Sequence, residues 1–145
     1  MSSQQNKFNI PTNYISVSTF VSMITKAPTI IESLYASPSG SGTSCTNSSP
    51  CSLNTAISRL DKGYALYLKK GTYDLKSGIS IETPGIHKLY ILISSAPNEK
   101  AIITSSKKGE VPLFDISGPY IIIENLISIK IYPYICISFK VFCKT

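Results

Sequence analysis

Residues 63–75 read GYALYLKKGTYDL. Leu66 and Leu68 alternate with Ala65 and Tyr67, the period-two pattern of a half-buried strand. Lys69-Lys70-Gly71 breaks that pattern, and Thr72-Tyr73 resumes it. Glycine adopts positive φ without strain, so Gly71 is read as a structural turn and the two lysines as its exposed bend. Gly63, just ahead of the strand, is read as a second structural turn. The adjacent lysines also raise the question of a basic binding site.

Downstream the texture repeats. The runs YALYL, GISIE, KLYILIS, AIITS, PLFDIS and YIIIENLISI follow one another, each bounded by Gly, Pro, Ser or Asn. Most alternate at period two and read as strands. No helical stretch of ten or more residues separates them, which argues against βαβ units. No Asn-Gly or Asp-Gly pair joins two runs, which argues against tight hairpins. Tyr67 and Ile91 lie 24 residues apart, Ile79 and Ile102 lie 23 apart, and Ile91 and Ile122 lie 31 apart. Strands recurring at such intervals with variable turns predict a solenoid, whose coils bury their apolar faces by stacking. A longer coil through SSKKGEVP absorbs the excess.

Upstream, a short strand is expected from Leu34-Tyr35-Ala36, followed by the loop SPSGSGTSCTNSSPC. Ser52 is a suitable N-cap for a helix over 53–60, with Leu53, Ala56, Ile57 and Leu60 on one face. Asp61-Lys62-Gly63 ends it, with Gly63 in a C-terminal αL position. The helix would close the open end of the first coil. Residues 1–33 read as a leader or loosely ordered extension, 34–128 as the cap and first coils, and 129–145 as an atypical apolar tail. That tail has no repeat texture, so the chain is expected to be a truncated piece of a longer protein.

The 145 residues suit one domain; 43% are hydrophobic and 15% charged, with a net charge of +6 and a pI of about 9.1. Such a balance fits nucleic acid, anionic lipid or acidic polysaccharide. The cations include one arginine, Arg59, whereas base readout and bidentate phosphate recognition favour arginine. Nucleic acid is therefore set aside. The lysines are scattered and read first as solubilising strand edges.

Cys45 and Cys51 fall in a polar, turn-forming segment where a disulfide would close a small loop, pointing to an oxidising compartment. Cys136 and Cys143 lie in the apolar tail, and pairing and free burial stay equally open there. Neither pair has zinc-ligand spacing with the single histidine, His87. No clear signal peptide is visible, in tension with the disulfide. Asn47-Ser48-Ser49 fits the N-glycosylation pattern, with Pro50 following. Glu124, Asn125, Lys130, Pro133 and Lys140 interrupt the apolar tail, which excludes a transmembrane span.

Residues 35–75, with their Ser/Gly loop, TAI-type helix and G-x-x-L-Y-L-x-x-G-T-Y signature, resemble the opening module of right-handed parallel β-helix proteins of the pectin lyase-like superfamily. The signature falls on Gly63, Leu66, Tyr67, Leu68, Gly71, Thr72 and Tyr73. PYIIIENLIS (119–128) resembles a later coil, with Asn125 replacing the usual glycine and Ile127 its threonine. The resemblance implies an all-β cylinder, here about three coils behind a short capping helix. Many members bind or cleave acidic polysaccharide outside the cell; others are non-catalytic surface adhesins. In the enzymes the catalytic groups project from coils nearer the middle of the cylinder.

The residues themselves carry no complete catalytic set. Glycoside hydrolysis needs two close carboxylates, and Asp61, Asp74, Glu82, Glu99, Glu110, Asp115 and Glu124 are scattered singly. Asp115 with Glu124 is the one pairing weighed, against the reading of exposed single carboxylates. A lyase base needs a lysine of depressed pKa, and no partner for Lys69 or Lys70 shows in the sequence. His87 reads as a solvated turn residue. Tyr64, Tyr67, Tyr73, Tyr90 and Tyr120 read either as solenoid packing or as a sugar-stacking face with nearby lysines. Tyr67, Tyr90, Lys69 and Lys70 are the candidate glycan contacts. No cofactor is expected, with calcium implied only for a full-length relative. The expectation is the N-terminal fragment of an extracellular or cell-surface β-helix protein that binds or processes acidic polysaccharide, this chain alone being non-catalytic. The alternative is a non-enzymatic surface or adhesion protein.

Overall fold

The computed structural model describes residues 29–106 and 114–128. The elements run β1 (Glu32–Ala36), α1 (Leu53–Ser58), β2 (Tyr64–Leu68), β3 (Gly71–Asp74), β4 (Ile79–Ile81), β5 (Ile91–Ser95), β6 (Ala101–Thr104), β7 (Phe114–Ile116), β8 (Ile121–Glu124) and β9 (Leu126–Ser128). Every strand pairing is parallel. β1-β2-β5-β8 form one sheet, β3-β6-β9 a second and β4-β7 a third. The chain therefore visits the three sheets in turn and starts again, the path of a parallel β-helix.

Alternation assigns the faces. Leu34, Leu66, Leu68, Ile91, Ile93 and Ile121 point into the cylinder and are almost wholly buried, joined there by Tyr73, Ile81 and Ile103 from the other sheets. β5 is buried along its whole length. The interior is thus a stack of aliphatic side chains from in-register strands, which none of the coils could bury alone.

The register corrects the spacing read from sequence. Tyr67 pairs with Ser94, not Ile91, and Ile91 pairs with Ile121, not Ile122. Ile79 pairs with Phe114, while Ile102 pairs with Thr72. Ile79 and Ile102 thus lie in different sheets. The run YIIIENLISI is two strands, β8 and β9, split at Asn125 with φ 55°. Asparagine tolerates that left-handed conformation better than most residues, so it can stand where glycine was expected.

Helix α1 starts as expected: the Ser52 side chain accepts from the Thr55 N–H at 3.2 Å. It ends at Ser58, two residues early, with Arg59 still in a right-handed conformation. Gly63 is not its αL cap. With φ 80° it sits four residues past Arg59, in the turn that feeds β2. Leu53, Ala56 and Leu60 join the main core, and α1 packs against β1 and β2. β1 begins at Glu32, slightly before the expected Leu34.

Candidate functional site

The bend between β2 and β3 is not an open basic patch. Lys69 is half-buried: its ammonium lies 3.5 Å from Glu99 Oε1, donates to Asn47 Oδ1, and sits 5.5 Å from the centre of the Tyr35 ring. The Lys70 backbone N–H donates to Glu99 Oε2 at 2.6 Å, while the Lys70 side chain is exposed. The Lys70 N–H first, and the Lys69 ammonium with it, holds the Glu99 carboxyl below the usual carboxylate range. Glu99 comes from the turn between β5 and β6, so one carboxylate ties two stacked bends together. Sequence gave no partner for these lysines because this one lies 29 or 30 residues away.

The turn at Gly71 is required twice over. Its φ is 133°, and a Cβ there would lie 2.8 Å from Pro38 Cγ. Gly40 is tighter still, since a Cβ would fall 2.0 Å from the Cys51 carbonyl oxygen.

Cys45 and Cys51 are joined by a disulfide. Their loop lies along the outer edge of β1. Tyr35 N–H donates to Cys45 O at 2.7 Å, Cys51 N–H to Tyr35 O at 3.1 Å and Ser37 N–H to Cys51 O at 3.0 Å. The loop so satisfies an edge that would otherwise invite pairing with another chain. Arg59 donates to the carbonyls of Thr43 and Ser44 and pairs with Glu32 at 3.8 Å. The single arginine thus fastens the Ser/Gly loop.

On the outer face of the first sheet the tyrosines separate. Tyr35 and Tyr67 are register partners, half-buried, with ring centres 5.4 Å apart. Tyr90 faces outward too but is buried with Ala65, Leu92 and Ile122, its ring stacked on Tyr120 at 5.5 Å. It offers no exposed sugar platform. Tyr73 points inward. Tyr35, which sequence reasoning did not single out, completes the half-buried pair; its identical offset within a neighbouring strand was the available signal.

The carboxylates stay apart. Asp115 lies in β7 opposite Ser80, whereas Glu124 lies in β8 of another sheet. The weighed Asp115–Glu124 pairing on one face is thereby overturned. Asp74 accepts from the Ser106 N–H and hydroxyl, both at 2.7 Å. His87 is exposed, edge-on to Tyr120 at 6.5 Å. Among the described residues no three His, Cys, Asp or Glu side chains gather as a metal site, and no helix is long and apolar enough to cross a membrane. Cys136, Cys143, Lys107-Lys108 and the segments 1–28 and 129–145 lie outside the described residues.

No protein-family model matches the sequence, and no curated protein matches it. Among solved structures it is similar to the crystal structure of pectate lyase Pel9A, with a TM-score of 0.57 at 18% identity. This chain has a parallel β-helix fold. The match covers 70% of this chain and 29% of the pectate lyase chain. A parallel β-helix explains the bends: each must repeat at the same corner, so Lys69-Lys70, Glu99 and Asn125 follow one another up one edge. There the Ser95 hydroxyl donates to the Asn125 carbonyl at 2.6 Å and accepts from the Ala101 N–H at 3.0 Å.

Proposed function

We propose that this chain is the N-terminal part of an extracellular β-helix protein that binds acidic polysaccharide, and that these coils bind rather than cleave. The observation that carries the reading is the Tyr35–Tyr67 pair on the outer face, with the Lys69 ammonium against Tyr35 and the exposed Lys70 beyond it. Aromatic faces accept the apolar C–H face of a sugar ring, and the exposed Lys70 ammonium can donate to a uronate carboxylate. A disulfide suits an oxidising compartment. The fold shared with a pectate lyase supports a polysaccharide ligand by analogy.

Catalysis is assigned elsewhere because Lys69 is held by Glu99 and Asn47. A general base needs a free lone pair aimed at its substrate, whereas the Lys69 ammonium is engaged by Glu99 and Asn47. The test is affinity electrophoresis in gels containing polygalacturonate, a heparin-like glycan or a neutral glycan. Retardation by the acidic glycans, weakened in Tyr35→Ala/Tyr67→Ala and in Lys70→Ala, is expected. Unretarded migration in all three gels would overturn the reading, and release of unsaturated products would overturn the non-catalytic part alone.

A further inference from the structure

The disulfide loop carries a feature that the polysaccharide reading leaves unused. Asn47-Ser48-Ser49 is an Asn-x-Ser triplet, and no other asparagine in the chain has Ser or Thr two residues on. The structure sets this triplet at the tip of the loop between Cys45 and Cys51. All three residues are exposed, while both cysteines are buried. Thr46 N–H donates to Ser49 O at 3.1 Å and Ser49 N–H to Thr46 Oγ1 at 3.1 Å, a turn that leaves the triplet exposed at the loop surface.

We propose that Asn47 is an N-glycosylation site, its ligand an oligosaccharide delivered on a lipid pyrophosphate. Nδ2 of Asn47 attacks the anomeric carbon of the carried sugar. The new C–N bond forms as the C–O bond to pyrophosphate breaks; the lipid pyrophosphate leaves with the electron pair, and one Nδ2 proton passes to a base of the transferase. The product is still an amide, with its carbonyl oxygen intact.

That detail matters here. Asn47 is held through Oδ1, which accepts from the Lys69 ammonium, and glycosylation consumes Nδ2. The modified residue keeps its tie to Lys69, so the folded corner tolerates the sugar without rearrangement. Modification at Nδ2 leaves the Oδ1 acceptor in place. The glycan would stand beside the Tyr35–Lys69 contact, at the capped end of the cylinder, adding bulk next to the β1 edge that the loop already covers. Pro50 stiffens the residue after the triplet, so a mixture of occupied and empty chains is the expected form.

The inference does not require polysaccharide binding, although a glycan on Asn47 would stand beside the Tyr35–Tyr67 face proposed for it. The experiment is secretion of the full chain from a eukaryotic host behind a host leader, followed by intact mass and peptide mapping with and without peptide-N-glycosidase. Expected is a heavier fraction that the enzyme removes, converting Asn47 to Asp. It should vanish in Asn47→Gln and equally in Ser49→Ala, which keeps the Asn47–Lys69 contact. A secreted wild-type chain with the Cys45–Cys51 bond formed and Asn47 wholly unmodified overturns the proposal. So does a heavier fraction that persists in Ser49→Ala.

Discussion

The Tyr73 hydroxyl lies 2.8 Å from the Lys69 carbonyl and 3.0 Å from that of Ala36, sharing its one proton between them. Tyr73 thereby ties β3 to the bend before it and to the end of β1. Burial first, and the negative Glu99 second, pushes its ionisation above the ordinary phenol range. Tyr73→Phe should cost about 1 kcal/mol at neutral pH, the net value of a buried hydrogen bond. The sign at high pH follows from linkage. The folded state holds the neutral phenol longer than the unfolded chain, which ionises near the ordinary tyrosine value of 10.0. The stabilisation is complete below that pH and is lost as pH rises above it. Urea midpoints of wild type and Tyr73→Phe should therefore converge on the alkaline side. A constant gap would show that Tyr73 does not titrate in unfolding.

Gly71→Val should cost about 3 kcal/mol, through a φ of 133° that a β-branched residue resists and a Cβ driven against the Pro38 ring. Lys69→Ala with Lys70→Ala removes one surface ion pair and should cost about 1 kcal/mol or less. Thermal melts of the two variants check this, and equal melting temperatures would contradict the account of the corner.

The first corner was legible in sequence because its two strands, its glycine and its N-capped helix are all local signals. The coil register was not. Strands of three sheets share one period, so Ile79 and Ile102 look equivalent until pairing puts them in different sheets. The split of YIIIENLISI into two strands was missed for a related reason: Asn125 was marked only by standing for a glycine, and one left-handed residue turns the chain there without any Gly or Pro. The glycan-contact reading of Tyr67 rested on alternation, which holds. That of Tyr90 failed to anticipate burial, because the outer cluster of Ala65, Leu92 and Ile122 draws on three different coils.

Ser95→Ala should be costlier than its small change suggests. The hydroxyl is both acceptor for the buried Ala101 N–H and donor to Asn125 O. Its loss leaves a buried donor unpaired, a penalty of about 1–3 kcal/mol. Chemical denaturation measures it. A change within error would mean that another group takes over the Ala101 N–H.

Cys45→Ala/Cys51→Ala should lose about 2 kcal/mol, the loop-closure value for so short a ring. It should also loosen the cover over β1. Hydrogen exchange at Tyr35 and Ser37, whose N–H groups donate to the two cysteine carbonyls, should accelerate more than at Leu66 inside the sheet. Unchanged protection at Tyr35 would show that the loop holds β1 without its covalent tie.

Glu99→Gln probes the stacked bends from the acid side. The carboxylate is held below its usual range by the Lys70 N–H and then by Lys69. A depressed carboxyl contributes stability above the unfolded value near 4.5 and loses it as pH falls through the lower folded value. Wild type should therefore exceed Glu99→Gln at neutral pH, by no more than the ~1 kcal/mol of a solvent-accessible pair. The difference should close below that pH. Added salt should narrow it at neutral pH by screening Lys69, leaving the part due to the Lys70 N–H. Urea titrations of both proteins across the acid range, at low and high salt, separate the two contributions. Parallel curves would mean that the Glu99 charge adds nothing to holding the second bend on the first.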